Sequence, residues 1–323
     1  MDRLIVSASI TQPNAFGSGK YLSFDVNSGT VNKTYALSYV DPYYTIDGVS
    51  RGFDVYSRSV DASSLTIGAY KTNTAGAGIK FSYPVSERDT VSFGANMEDV
   101  ELAIFDNSAF AYKDFAANFG TQYRYGSLTA AWARDTRNSL ILTTDGALTR
   151  VIGEVAAGDL EYYRIGLNQQ LYWPLSRTYT LFLNGDLGYA SGLGGKPLPF
   201  FKNYYSGGPG TVRGYDDFSL GPRDPEGNSL GGTRRVSGTV ELLFPMPGAA
   251  QDKSLRLSLF LDGGQVYGDG EKLDLSELRY STGLALAWSS PLGPLRLSLA
   301  HPLNERKGFD RVQRLQFKFG TSF

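Results

Sequence analysis

The last third of the chain alternates leucines with small or charged residues, and this two-residue period constrains the fold more than any other feature. From Leu255 to Leu261 every odd position is a leucine. The even positions that follow them are Arg256, Ser258, Phe260 and Asp262. Successive side chains of a β-strand point to opposite faces of its sheet, so this run predicts a strand with one apolar face. The runs at 281–288 and 294–300 repeat the pattern.

The C-terminal run carries the same signal in larger side chains. Its apolar face consists of Leu315, Phe317, Phe319 and Phe323. Elsewhere the chain also consists of strands and turns, without a helical period of about 3.6 residues and without a dividing linker. About fifteen strands are predicted, with starts near Leu4, Lys20, Lys33, Val49, Thr72, Thr90, Thr121, Ala147, Tyr162, Thr178, Arg235, Ser254, Tyr280, Pro294 and Val312. The sequence therefore predicts a single all-β domain over residues 1–323.

Two classes of all-β protein could accommodate so many apolar strand faces. A soluble sandwich covers each face with a second sheet, but a chain of 323 residues would normally divide into smaller sandwich domains. A closed barrel instead turns its apolar faces to lipid and keeps a polar lumen. The sequence favours a transmembrane antiparallel up-and-down β-barrel that contacts outer-membrane lipids.

Loop lengths alternate along the predicted strands and support the barrel independently. Short turns are expected at 41–48, 84–89, 174–177, 245–252 and 290–293. The connections between them are generally longer, as is typical of outer-membrane barrels, which have short turns on one side and longer loops on the other. Trp173 and Trp288 lie beside short turns, where aromatic residues line the membrane interface.

Composition argues against several classes of function. The chain has no cysteine and therefore no disulfide, thiolate ligand or thiol nucleophile, and its net charge of -1 lacks the basic excess of a nucleic-acid-binding protein. His301, the only histidine, has no evident nucleophile or acid partner. An acidic group without recognisable metal-ligand spacing consists of Asp269, Glu271, Asp274 and Glu277. We expect no catalytic residue, no metal, no cofactor and no nucleic-acid partner.

The connection 191–234 is far longer than a strand connection requires, since most contain about four to six residues. It is rich in aromatic residues, namely Phe200, Phe201, Tyr204, Tyr205, Tyr215 and Phe218. Aromatic surface on this scale favours burial over disorder. We therefore expect the loop to fold back and pack against the protein.

Six motifs follow one another through the second half of the chain. They are Val212-Arg213-Gly214-Tyr215, Leu220-Gly221-Pro222, the run from Gly231-Gly232 to Pro245, Phe260-Leu261-Asp262-Gly263-Gly264, the turn from Trp288 to Pro294, and the run from Gln316 to Phe323. Together they resemble the barrel domain of the BamA family, the core subunit of the machinery that inserts β-barrels into the bacterial outer membrane. The resemblance extends forward through Asp41-Pro42-Tyr43-Tyr44 and so covers nearly the whole chain.

The resemblance implies a sixteen-strand type of barrel whose long loop, 191–234, lies inside the lumen. Soluble POTRA repeats precede the barrel in this family, and the segment from Leu4 to Thr11 resembles its second strand. The chain is therefore expected to be a fragment without the POTRA repeats and the first strand.

The implied function is non-enzymatic insertion and assembly of β-barrel proteins, through a strand-edge seam and local perturbation of the bilayer. The implied partners are unfolded β-barrel clients and accessory lipoproteins. The alternatives are a two-partner-secretion-type transporter or a translocation-and-assembly barrel that exports a polypeptide, and a passive porin. The run from Gly231 to Pro245 and the turn at 290–294 favour the assembly family over a transporter.

The resemblance also implies that Arg213 contacts acidic groups on the wall of the lumen. Strand parity independently predicts that Asp262 and Glu241 face inward, and an arginine can bind a carboxylate through two parallel hydrogen bonds. The residues expected to form the loop motif are Val212, Arg213, Gly214 and Tyr215. The alternative is that Arg213 is solvated, or that the two carboxylates pair with the inward-facing Arg235 and Arg256.

Overall fold

Within the part of the chain that the structure describes, fifteen strands form a single antiparallel sheet in chain order. The computed structural model describes residues 6–29, 31–65, 67–140, 142–248, 254–290 and 293–319. The strands of this sheet are β1 Val6–Gln12, β2 Tyr21–Ser28, β3 Asn32–Asp41, β4 Ser50–Asp61, β5 Tyr70–Pro84, β6 Asp89–Ile104, β7 Gln122–Asp135, β8 Gly146–Gly158, β9 Tyr162–Pro174, β10 Thr180–Gly192, β12 Arg234–Pro245, β13 Leu255–Tyr267, β14 Arg279–Ser290, β15 Gly293–Pro302 and β17 Leu315–Phe319. Two short strands, β11 Gly214–Tyr215 and β16 Val312–Gln313, pair with each other. The predicted all-β fold class is confirmed.

The last predicted strand needs a correction. The alternation suggested one strand starting near Val312, but Val312 and Gln313 belong to the separate two-stranded sheet, and the main sheet resumes at Leu315. The reason is a competing partner, since the backbone of Gly214 and Tyr215 in the long loop pairs with these two residues. The remaining predicted starts within the described residues lie within about two residues of the observed ones.

A helix that the sequence analysis missed, α1 Phe110–Phe119, lies in the connection between β6 and β7. It buries Tyr112 and Phe115, three residues apart on one face, while Phe110 is exposed. The helix has ten residues, so its apolar period repeats too few times to be recognised in the sequence between the strands. Within the described ranges, no helix is both long and apolar enough to cross a membrane.

The apolar faces of the C-terminal strands are exposed. One row joins four leucines on neighbouring strands, Leu259, Leu284, Leu299 and Leu315. Their exposed fractions are 49%, 49%, 58% and 60%, whereas the alternate residues Ser258, Phe260 and Asp262 of β13 are buried. Such a continuous apolar band suits contact with lipid. The opposite face, which carries Ser258, Phe260 and Asp262 of β13, is called the inner face below.

The described structure contains two compact units. The first comprises residues up to Ala133, Ile152–Ile165 and Ala190–Lys202. The second comprises Arg134–Val151, Gly166–Tyr189 and the residues from Asn203 onward. The long loop contributes to both, so its residues 193–202, the loop stem, and its residues 203–233, the loop body, are described separately.

Candidate functional site

The loop body is a compact structure with its own hydrogen bonds and core. Tyr204 pairs with Gly232 in an antiparallel bridge, and the Leu220 amide donates to the Ser206 carbonyl at 3.0 Å. Its small core consists of Val212, Tyr215 and Leu220, which are at most 1% exposed. Aromatic and aliphatic burial therefore orders this segment, as its composition predicts.

Arg213 of the loop body binds Asp262 through three hydrogen bonds. Its Nε donates to Oδ2 at 2.7 Å, and its Nη2 donates to Oδ1 at 2.8 Å. Its backbone N–H donates to the same Oδ2 at 3.0 Å. Nη2 also donates to Glu241 Oε2 at 3.1 Å. The guanidinium thus engages one carboxylate through a two-pronged contact and reaches a second, a geometry that the single ammonium of lysine cannot reproduce.

The environment of this arginine is nearly dry and strongly charged. The side chain of Asp262 is 0% exposed, and that of Arg213 is 12% exposed. The guanidinium carbon lies 3.5 Å from the centre of the Phe260 ring, a cation–π contact. Glu241, directly opposite Phe260 on β12, accepts another hydrogen bond from Ser258. Burial weakens solvent screening, so these contacts strongly favour one position of the loop.

Gly214 brings the loop backbone close to the inner face of the sheet. Its φ is +89°, and an added Cβ would lie 3.0 Å from the Cβ of Ala300. The Gly214 amide donates to Gln316 Oε1 at 3.1 Å, and Gln316 Nε2 donates to the Tyr215 carbonyl at 2.7 Å. Only glycine combines this conformation with this close approach.

Val212 and Tyr215 complete the motif. An added Cβ at Gly264 would lie 2.8 Å from Val212 Cγ2, so the valine occupies the space that this glycine leaves open. The Tyr215 hydroxyl donates to the Tyr280 carbonyl at 3.3 Å. Each of the four motif residues therefore contacts β13, β14, β15 or β17.

Gln316 is the functional candidate that sequence reasoning missed. Its position between Leu315 and Phe317 predicts that it faces inward, and it is 1% exposed. Its two backbone partners, the Gly214 amide and the Tyr215 carbonyl, lie 102 and 101 residues earlier in the chain. Nothing in the sequence of its own strand indicates these partners. The parity signal was present, but the pairing depends on how the loop folds.

The alternative partners for the two carboxylates lie elsewhere. Arg235 donates to Asp186 on the neighbouring strand β10. Arg256 donates to the carbonyl oxygens of Thr143 at 2.9 Å and Leu142 at 3.0 Å. The alternative in which these arginines neutralise the carboxylates is therefore wrong.

The aromatic residues of the C-terminal run lie on the exposed face. Phe317 pairs with Leu297 and is 52% exposed, and Phe319 pairs with Leu295 and is 51% exposed. Phe323 lies outside the described residues. The two described phenylalanines thus extend the apolar band to the last strand.

Two weaker candidates are His301 and the acidic group that includes Asp274. His301 is exposed and lies opposite Thr282. Hydrogen bonds from Ser276 hold the pKa of Asp274 below its ordinary value, because this carboxylate caps a short helical turn. Among the described residues, no group of three or more His, Asp or Glu side chains is arranged to hold a metal.

Residues 14–323 match the Omp85 superfamily domain. The chain belongs to the Omp85 superfamily. It is 40% identical, over 99% of its length, to the outer membrane protein assembly factor BamA of Neisseria meningitidis serogroup B (strain ATCC BAA-335 / MC58), and it spans 45% of that relative. The crystal structure of BamA from Haemophilus ducreyi lacking POTRA domains 1-3 is similar with a TM-score of 0.90 and 28% identity, covering 97% of this chain and 66% of that one. The resemblance to the BamA barrel, expected from the motifs, is confirmed.

A solved structure with lower sequence identity has a similar fold. CdiB from Acinetobacter baumannii matches with a TM-score of 0.64 and 14% identity, covering 97% of this chain and 55% of that one. An identity this low shows the fold alone. The fold of this chain is thus similar to those of a BamA and of CdiB.

Proposed function

We propose that this chain is the membrane-spanning part of a factor that inserts and assembles β-barrel proteins in the bacterial outer membrane. The observation that carries the proposal is the two-pronged contact between Arg213 and Asp262, made by a loop motif within a chain 40% identical to a BamA. In this proposal residues 1–323 form one barrel domain. The loop 191–234 enters its lumen from the extracellular side, and the exposed leucine band faces lipid.

The proposed mechanism is non-enzymatic and uses strand edges. β1 and β17 are the two ends of the strand order. An unpaired strand in lipid is unfavourable because each unsatisfied backbone group costs several kcal/mol, so a client strand is stabilised by pairing with an existing edge. We expect client strands to be inserted at the seam between these two end strands and in the bilayer around it.

Strand lengths support a local perturbation of the bilayer. Near the two ends of the sheet order, β2 has 8 residues and β15 has 10, whereas β5 has 15 and β6 has 16. At about 3.3 Å per residue, the shorter strands offer a lower apolar wall. Lipid beside a shorter wall thins to match it, which lowers the barrier for a client to enter.

The partners in this proposal are unfolded β-barrel clients, outer-membrane lipids and the accessory lipoproteins of an assembly complex. Client binding needs backbone pairing and apolar surface, and neither requires a cofactor. The contact of Arg213 with Asp262 and Glu241, called the Arg213 lock below, holds the loop in the barrel. It takes no part in covalent chemistry.

The Arg213 lock is tested by substitution in the protein at its full natural length. Arg213→Ala is expected to weaken complementation of a strain depleted of the native protein. It is also expected to lower the temperature at which the barrel unfolds, as measured by heat-modifiability in gel electrophoresis. Arg213→Lys keeps the charge but loses the two-pronged contact, so an intermediate result is expected. Growth and heat-modifiability of Arg213→Ala equal to wild type would contradict the proposal.

A further inference from the structure

The loop stem has an attachment of its own in the first compact unit. Lys202 Nζ lies 3.5 Å from Glu98 Oε2 on β6, and the two side chains are 20% and 15% exposed. The same ammonium lies 5.3 Å from the ring centre of Tyr125 and 5.6 Å from that of Tyr162. One cation of the stem is therefore held by a carboxylate and two aromatic faces.

The sheet is arranged to receive this cation. Tyr56, Gly76 and Glu98 form one row across β4, β5 and β6. Tyr56 crosses over Gly76 and donates a hydrogen bond to Glu98, and Tyr125 donates another from β7. An added Cβ at Gly76 would lie 2.5 Å from the Tyr56 ring, so the glycine makes this crossing possible. The phenols keep the carboxylate oriented beneath the stem.

Aromatic packing fixes the stem beside the lysine. The Phe200 ring stacks on Tyr112 of α1, with centres 3.8 Å apart and planes at 12°. Tyr70 and Phe115 meet the same ring edge-on at 5.1 and 5.5 Å. Phe200 is 6% exposed, so it contributes a buried aromatic anchor two residues before Lys202.

We propose that Lys202 and Glu98 form a second lock of the long loop, separate from the Arg213 contact. This inference rests on the proposed function, in which the loop must be held inside the barrel. The second lock positions the stem, so that loss of the Arg213 contact frees the loop body without releasing the whole loop. This ion pair takes part in no reaction, and its effect is on the position of the loop.

A nearby ion pair provides a matched control. Lys196 and Glu161 also join the stem to the first unit, at the shorter distance of 2.7 Å, but their side chains are 37% and 36% exposed. Exposed pairs contribute little because water and salt screen them, whereas removing one partner of a buried pair leaves an unpaired charge. The lower exposure of the Lys202 pair therefore predicts that Lys202 holds the stem more strongly than Lys196 does. The shorter distance of the Lys196 pair, taken alone, would predict the reverse.

The test measures exposure of the stem in the purified protein at its full natural length. Residues 1–323 contain no cysteine, and any cysteine elsewhere in the full-length protein is first replaced by serine. Leu198→Cys, at a position that is 9% exposed, then serves as a single reporter. Adding Lys202→Met is expected to raise its maleimide labelling rate by at least about tenfold, and adding Lys196→Met by less than about twofold. Glu98→Gln keeps an acceptor for the phenols, and together with Lys202→Met it should add little to the effect of Lys202→Met alone.

The outcomes separate this lock from the proposed function. Heat-modifiability is measured on every variant, so labelling is compared only between folded barrels. Unchanged labelling in Lys202→Met, or equal increases in Lys202→Met and Lys196→Met, would overturn the second lock whatever the growth of complemented cells. Raised labelling in Lys202→Met with normal growth would support the lock and count against a need for the loop in assembly.

Discussion

At the residue scale, burial ranks the two carboxylates that hold Arg213. Asp262 accepts three of the four hydrogen bonds and is fully buried, while Glu241 accepts one and is 14% exposed. The two carboxylates are therefore unequal partners, because a buried charge depends on its partner more strongly than one that water still reaches.

Substitution of each carboxylate tests this ranking. Asp262→Ala leaves the guanidinium without the carboxylate that it binds through two hydrogen bonds. This substitution is expected to lower the free energy of unfolding by about 3–5 kcal/mol. Glu241→Ala removes one hydrogen bond from Arg213 and one from Ser258 and is expected to lower the free energy of unfolding by about 1–2 kcal/mol. The midpoint of thermal unfolding in detergent, measured by heat-modifiability, should fall further for Asp262→Ala. A larger fall for Glu241→Ala would contradict the geometry.

At the element scale, the two-residue period predicted the strands most clearly near the C-terminus, where neighbouring strands expose one apolar face. The same parity placed Asp262 and Glu241 on the inner face before any loop contact was known. It could not predict the pairing of Lys202 with Glu98, since these residues are 104 positions apart and the stem has no period. Helix α1 and the departure of Val312 from the last strand likewise depend on tertiary partners.

Each compact unit contains an aromatic ring that crosses a glycine of the neighbouring strand. Tyr56 crosses Gly76 to reach Glu98, and an added Cβ at Gly283 would lie 2.8 Å from the Phe260 ring beneath Arg213. In both cases a glycine on the neighbouring strand makes room for a ring that supports a charged contact of the long loop. The glycines of these strands are therefore part of how the loop is held.

Gly76→Ala tests this arrangement in β5. The new methyl group would displace the Tyr56 ring and break its hydrogen bond to Glu98, so a cost of about 1–3 kcal/mol is expected from overpacking. Gly153→Ala in β8 is the control, because an added Cβ there has nothing within 4 Å. The measurement is the thermal midpoint of heat-modifiability together with labelling of the stem reporter. Equal behaviour of the two variants would show that the crossing does not hold Tyr56.

At the scale of the whole molecule, an exposed leucine band, charged contacts of the inner face and a long loop occur in a chain that belongs to the Omp85 superfamily. The sequence predicted the fold class and the resemblance to the BamA family because strand parity and the family motifs recur through most of the chain. The loop contacts needed coordinates, because hydrogen bonds between distant segments leave no local pattern.

The most direct measurement is the folding rate of an unfolded β-barrel client in liposomes that contain the protein at its full natural length and the accessory lipoproteins of the proposed assembly complex. No nucleotide is added, and folding is followed by heat-modifiability of the client. If the protein is an assembly factor, the client folds faster than in empty liposomes, and most of the gain is lost in Arg213→Ala. Folding no faster than in empty liposomes would contradict the proposed function.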